Sequence, residues 1–132
     1  MLAISWDTVR LFLHVVAATI WVGGQLTLAT LVPTLRRFER EVTTAAARRY
    51  NEVAWPAFGV LVATGVWNIA AEPHQETAYR VTLTVKLCFV LASGLTAWLH
   101  IRSTTARARG VLGSLTGLTA LGALFFGIVL AQ

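Results

Sequence analysis

The sequence predicts an all-α integral membrane protein, a four-helix bundle that uses nearly the whole chain. Of its 132 residues, 56% are hydrophobic and only 13% are charged, against roughly a quarter charged in an average soluble domain. Four apolar stretches each approach the roughly 20 residues that a helix needs to cross the hydrocarbon core. Because a backbone in lipid must satisfy its own hydrogen bonds, we expect helices there and not open strands.

The four predicted spans follow one another with short connections and form one predicted domain over residues 1–132. They cover residues 11–32, 53–71, 81–101 and 111–131. The first is too long for a signal-peptide core and lacks a clear small-residue cleavage site, so we expect it to be retained. The residues between spans one and two favour helix, so both spans are expected to continue as stalks. Thr43 or Thr44 is the expected N-cap of the second.

Arginines predict the orientation of the chain. They are concentrated between spans one and two and between spans three and four, whereas only Arg10 and Arg80 lie near the other boundary. By the positive-inside rule, both arginine-rich loops are cytoplasmic and both termini are outside. The net charge of +5 therefore reflects topology and attraction to membrane lipid headgroups. No basic face on a soluble module is present to predict a nucleic-acid partner.

Two ionisable side chains, His14 and Lys86, lie inside the predicted spans. Such residues usually face a bundle interior and bind an ion, a proton or a cofactor. Each is seven residues beyond a residue at the outer boundary, which places both roughly 10 Å deep. Asn68 and Thr82 are expected in the same layer. The alternatives are an interhelical hydrogen bond for His14 and, for Lys86, a side chain that snorkels to the interface.

Helical phase predicts that this polar layer faces inward. On span one, polar, small and aromatic residues recur at spacings of four, three and four, namely His14, Ala18, Trp21 and Gln25. Span three has a similar stripe, which consists of Thr82, Lys86, Ser93 and His100. Trp21 could stack on a planar aromatic ligand. The predicted cofactor site is thus formed by His14, Lys86, Trp21, Asn68 and Thr82, with His14 and Lys86 as metal ligands.

His100, the glycines of the fourth span and Cys88 each lead to a further expectation. His100 is about 30 Å along span three, so it is expected to reach the inner headgroups and not the outer site. The alternative is a second, inner polar site, since Gln25, Glu52, Trp55 and Trp98 fall near the same level. Gly113 and Gly117 form a GxxxG spacing, which predicts a homodimer through the glycine-rich fourth span. Cys88 is the single cysteine, so no intrachain disulfide can form.

Several short motifs, in this order and spacing, resemble the CopD-like superfamily of small membrane bundles. The superfamily includes the copper-resistance membrane protein CopD and, more distantly, the HemJ-type protoporphyrinogen oxidases. The motifs are Leu13-His14, Ile20-Trp21-Val22-Gly23-Gly24, Arg48-Arg49-Tyr50, Pro56-Ala57, Thr64-Gly65 and Val85-Lys86-Leu87. The resemblance implies a multi-pass protein of the bacterial inner membrane.

The resemblance also implies a cofactor. HemJ-type enzymes bind haem and have an essential His in the first helix and an essential Lys in a later one, at positions that His14 and Lys86 match. This implies b-type haem with His14 as an axial iron ligand. Lys86 would either ligate as a neutral amine or pair with a propionate.

We therefore predict a haem- or porphyrin-binding membrane protein that acts in electron transfer or haem handling with an unidentified redox partner. One alternative is an oxidoreductase of the protoporphyrinogen oxidase type, which uses His14 and Lys86. A second is a copper transport or resistance protein with His14 and His74 as outer ligands, although Cu(I) prefers sulfur and only Met1 and Cys88 supply it. A third is a cofactor-free subunit of a membrane complex.

Overall fold

The computed structural model describes residues 4–71 and 76–132, and within these ranges the chain is helical with no strand. The helices are α1 (Trp6–Ala18), a π-helical segment (Thr19–Gly23), α2 (Gly24–Leu35), α3 (Arg40–Ala71), α4 (Thr77–Arg102) and α5 (Ala106–Val129). The π-helical segment joins α1 and α2 into one continuous helix, Trp6–Leu35.

Four of these continuous helices are long and apolar enough to cross a membrane, which confirms the predicted all-α membrane fold. Their outer faces carry large apolar side chains, such as Phe12 and Leu118, each 64% exposed. Such faces suit contact with lipid, since a bilayer removes the cost of exposing hydrocarbon to water. The chain is a multi-pass membrane protein.

The helix ends differ from the prediction in two ways. The chain turns at residues 36–39, so α2 has no long stalk. The second stalk is present, because α3 has 32 residues and is about 48 Å long, more than the hydrocarbon thickness. However, α3 begins at Arg40, so Thr43 and Thr44 lie inside it and the predicted cap is wrong. Thr44 Oγ1 instead donates to the Arg40 carbonyl at 3.0 Å.

Other local signals explain where helices begin. Ser5 and Thr8 form a capping box at the start of α1, in which Thr8 N–H donates to Ser5 Oγ at 3.3 Å and Ser5 N–H donates to Thr8 Oγ1 at 3.4 Å. Thr105 caps α5 by accepting from Ala108 N–H at 3.2 Å. Pro33 and Pro56 both lie inside helices, so neither ends one.

The chain divides between residues 73 and 74 into two compact units. In the first unit, the continuous helix Trp6–Leu35 packs against α3, and in the second, α4 packs against α5. Small buried residues of α3, Ala54 and Ala57, allow close approach of the helices in the first unit. The predicted single domain over residues 1–132 stays a prediction.

Candidate functional site

The predicted histidine of the first span has a partner on α3. His14 is half-buried in the middle of α1, and its Nδ1 lies 2.8 Å from Thr64 Oγ1. Thr64 is only 5% exposed, so this contact is shielded from solvent. This is the interhelical hydrogen bond named above as the alternative for His14, and the role of His14 as a metal ligand stays a prediction.

The ring also lies near Gly65 of α3. A Cβ atom placed on Gly65 would lie 3.5 Å from His14 Cε1, which is ordinary van der Waals contact. The edge of the imidazole between its two nitrogens therefore lies against α3 beside Gly65. The Thr64 contact is therefore the one that fixes the orientation of the ring relative to α3.

Asn68 adds an unsatisfied polar atom one helical turn beyond Thr64 on the same face of α3. Its Oδ1 is buried, and it has no hydrogen-bond partner among the residues that the structure describes. A buried polar atom without a partner is unusual in proteins and indicates a bound water, an ion or a functional role. Asn68 therefore remains a candidate to contact a bound ligand or ion.

Arg10 was predicted to lie near the membrane boundary, but it is buried in the structure. Arg10 is 1% exposed, and its Nη2 lies 3.4 Å from the Asp7 carboxylate. It lies one turn before His14 on α1 and shares its helical face. The spacing of four between the two residues was the available signal, and it was overlooked because arginines near span ends usually anchor to headgroups.

Trp21 lies in an aromatic cluster of the first unit. Its ring centroid is 4.4 Å from that of Phe58 and 5.6 Å from that of Trp55, and the residue is 3% exposed. Its face is therefore already packed against protein. The use of Trp21 as a stacking surface for a ligand stays a prediction.

Next to this cluster, a polar node forms where the first helix widens. Tyr50 Oη donates to the Trp21 carbonyl at 3.0 Å, and Gln25 hydrogen-bonds to the Tyr50 side chain. A π-helical turn shifts backbone pairing from i−4 to i−5, which makes a carbonyl in the segment accessible to such a donor. Tyr50 was named only as part of the Arg48-Arg49-Tyr50 motif, and its contact with the first helix was not predicted, because no local motif indicates the wide turn.

The stripe predicted on span three faces α5 within the second unit. Ser93 Oγ donates to the Thr116 carbonyl at 3.3 Å, and Thr116 Oγ1 donates to Thr96 Oγ1 at 3.0 Å. A Cβ placed on Gly127 would lie 3.5 Å from Lys86 Nζ and 3.6 Å from its Cε. Much of this stripe therefore forms the seam between α4 and α5.

Thr82 and Cys88 both belong to α4. Thr82 is half-buried, and its hydroxyl donates to the Ala78 carbonyl at 2.9 Å. Cys88 is exposed and lines an apolar groove of about 310 Å³ on the second unit. His74, the proposed second copper ligand, lies outside the described residues. His14 and Lys86 belong to different units, so their assignment to one site stays a prediction.

His100 is not simply a headgroup contact. Its Nδ1 lies 2.8 Å from the Arg109 carbonyl, and its ring fits against Gly113, where a Cβ would be 3.3 Å from both Cε1 and Nδ1. Since a carbonyl oxygen only accepts, Nδ1 carries the proton. His100 therefore ties the end of α4 to the start of α5.

The described residues contain no group of three or more His, Cys, Asp or Glu side chains that could hold a metal ion. Around His14, the potential metal-binding groups described above are its imidazole, the Asn68 amide oxygen and the Thr64 hydroxyl. Such a set can contribute to a metal site or supply one axial ligand, but it does not form a complete cage by itself.

The fold and the intramembrane polar residues define a small polytopic membrane protein with a candidate binding site in its first unit. A family model described as Copper resistance protein D, CopD, matches residues 44–131. This match covers two thirds of the chain, and the protein belongs to the CopD family.

The match includes Thr64, Asn68, Thr82 and Lys86, whereas His14 and Trp21 precede it. No match was found among curated proteins or among solved structures. The predicted CopD-like membership is confirmed, and the more distant link to HemJ-type oxidases stays a prediction.

Proposed function

We propose that this protein takes part in copper handling by its membrane and binds the metal between α1 and α3. His14 would supply the principal ligand and Asn68 Oδ1 a second contact. The observation that carries the proposal is the shielded imidazole held against α3, with an unsatisfied amide oxygen one turn away. Membership of the copper-resistance family supports copper as the cargo.

The donor atoms suit a particular form of copper. Imidazole nitrogen and amide oxygen favour Cu(II), whereas Cu(I) is selected by thiolate and thioether sulfur. Cys88, the single cysteine of the chain, belongs to the second unit. We therefore expect the first unit to bind Cu(II), with water or further ligands to complete the coordination. Lys86 as a metal ligand stays a prediction.

Binding of b-type haem is the second candidate function. Haem iron takes only one or two axial ligands from the protein. A single imidazole therefore comes closer to a complete set of protein ligands for haem iron than for a copper ion. Against it, the Trp21 ring expected to stack on a porphyrin is packed on Phe58 and Trp55. With haem bound, the protein would act in electron transfer or haem handling.

One set of measurements distinguishes the two candidates. The full chain is purified in mild detergent, its visible spectrum is recorded, and it is then dialysed against Cu(II) and analysed for bound metal. We expect a colourless protein that retains copper, and His14→Ala should lose most of it. His100→Ala is the matched control, since that ring is held at the Arg109 carbonyl, in the other unit.

Two results would contradict the copper proposal. A Soret band that His14→Ala removes would assign haem to the same imidazole. Copper retention unchanged by His14→Ala would show that the metal binds elsewhere. The cellular location proposed for this activity is the bacterial inner membrane, with the arginine-rich loops in the cytoplasm.

A further inference from the structure

We infer that Thr64 is a positioning residue, which holds His14 in the tautomer that carries its proton on Nδ1 and its metal-binding lone pair on Nε2. The contact between the two residues does not depend on a bound metal. The consequence for metal binding rests on the proposed function.

The direction of the hydrogen bond follows from the other partners of the threonine. Thr64 Oγ1 lies 2.7 Å from the Val60 carbonyl and 3.2 Å from the Leu61 carbonyl. Carbonyl oxygens cannot donate, and a hydroxyl has one proton to give. That proton goes to the nearer carbonyl, that of Val60, as is usual for a threonine inside a helix. The lone pair of Oγ1 then accepts from His14 Nδ1–H.

This arrangement assigns different roles to the two ring nitrogens. A neutral imidazole carries one N–H, so a proton held on Nδ1 leaves Nε2 with the lone pair. A histidine that ligates a metal almost always donates its other N–H to a fixed acceptor, which sets the tautomer and the ring orientation. Thr64 is such an acceptor, and its oxygen is itself fixed by the α3 backbone.

The surroundings of the pair make the assignment stable. Thr64 is 5% exposed, so water competes little for its oxygen. The ring edge also lies beside Gly65, with Cε1 3.5 Å from where a Cβ would be. Rotation of the ring by half a turn would break the bond to Oγ1 and leave a buried N–H or a buried oxygen unsatisfied, which is costly.

The first test reads the tautomer in metal-free protein. The full chain, labelled with ¹⁵N-histidine in detergent micelles, is measured by NMR as wild type, Thr64→Ser and Thr64→Val, and the His14 signals are assigned by their loss in His14→Gln. We expect Nδ1–H in the wild type and in Thr64→Ser. In Thr64→Val, which keeps the shape but removes the acceptor, the Nδ1–H population should fall.

The second test measures copper affinity in the same variants. Loss of such an outer partner typically weakens metal binding about 10- to 100-fold, so we expect Thr64→Val to bind Cu(II) that much more weakly and Thr64→Ser to bind within a few fold of the wild type. Thr84→Val is the matched control. Its hydroxyl also donates only to a carbonyl of its own helix, that of Arg80 at 2.8 Å, so this change should leave the affinity unchanged.

The results separate this inference from the proposed function. If the wild type shows Nε2–H, or if Thr64→Val leaves the tautomer unchanged, Thr64 does not position His14. If the tautomer responds to Thr64 but His14→Gln leaves copper binding intact, the positioning contact stands and the copper site is elsewhere. Should Thr64→Val not fold, the wild-type spectrum and Thr64→Ser still decide the assignment.

Discussion

At the scale of single residues, intramembrane polarity predicted His14 but not its surroundings. An imidazole in a 22-residue apolar stretch is conspicuous in the sequence, whereas Thr64 is an ordinary helical residue until the register between α1 and α3 is known. The burial of Arg10 was not predicted for the same reason. Its burial depends on what covers it, which a pattern along one helix does not reveal.

Glycines provide a residue-scale test of the second unit. A Cβ placed on Gly122 would lie 2.6 Å from Phe89 Cδ1, and the Phe89 ring also stacks on Phe126 with centroids 5.6 Å apart. In Gly122→Ala the ring must therefore move, at a cost of about 1–3 kcal/mol. We expect a lower midpoint of thermal unfolding in detergent.

The control for that change is on the same helix. A Cβ on Gly110 would meet nothing within 4 Å, so Gly110→Ala should leave the unfolding midpoint unchanged or raise it, because alanine favours helix. Combining Gly122→Ala with Phe89→Leu should recover part of the loss. Equal midpoints for the two alanine variants would show that the α4–α5 contact is looser than described.

At the scale of helices, the wide turn at Thr19–Gly23 is the feature that sequence reasoning missed. Helical phase at 3.6 residues per turn predicted a continuous stripe through His14, Trp21 and Gln25, and the interruption between α1 and α2 was not foreseen. The stripe is nevertheless partly retained, since Trp21 is buried and Gln25 reaches Tyr50. π-helical turns often occur at functional sites.

Two adjacent glycines test how this segment is held. The Tyr50 ring occupies the space where a Cβ on Gly24 would be, whereas a Cβ on Gly23 would meet nothing within 4 Å. We expect Gly24→Ala to displace the ring and weaken its hydrogen bond to the Trp21 carbonyl, at a total cost of about 1–3 kcal/mol. Gly23→Ala should be tolerated.

The measurement is again the unfolding midpoint in detergent, with Tyr50→Phe as the reference for loss of the hydroxyl alone. Tyr50→Phe should cost about 1 kcal/mol. If Gly24→Ala and Gly23→Ala behave alike, the close approach of Tyr50 to the first helix is not important for stability.

The α4 stripe shows how a correct pattern can have another use. Its residues were selected as polar and in phase, and they are in phase, but Ser93 and His100 contact α5 within the second unit. Helices in lipid associate through small residues and interhelical hydrogen bonds. The sequence could not distinguish such a seam from the wall of a ligand site, because both require polar residues at the same spacing.

At the scale of the whole molecule, composition and span length were sufficient for the fold. Four apolar stretches separated by charged turns permit few other outcomes, and the helices extend the predicted spans by several residues at most ends. Composition and span length do not predict the partner subunit or the bound metal. Dimerisation through the fourth span and the identity of the metal depend on surfaces and coordination that composition does not encode.

The distribution of arginines makes a topological prediction. In a chain whose own cysteine is replaced, Cys88→Ala, new cysteines are placed at Ile4, near the start of α1, and at Thr104, between α4 and α5. Both residues are exposed. If the arginine-rich loops are cytoplasmic, a membrane-impermeant maleimide should label Ile4→Cys in intact cells and Thr104→Cys only after lysis. The reverse pattern would invert the orientation.

The wide turn in the first helix affects how this chain can be compared with its relatives. A helix with such a turn contains one more residue than a regular α-helix of the same rise, and each residue corresponds to about 100° of rotation. When this chain is aligned without a gap to a homologue that lacks the extra residue, every position on one side of the wide turn is matched to a residue on a different helix face. A one-residue gap within 19–23 is therefore structurally justified when the first helix is aligned.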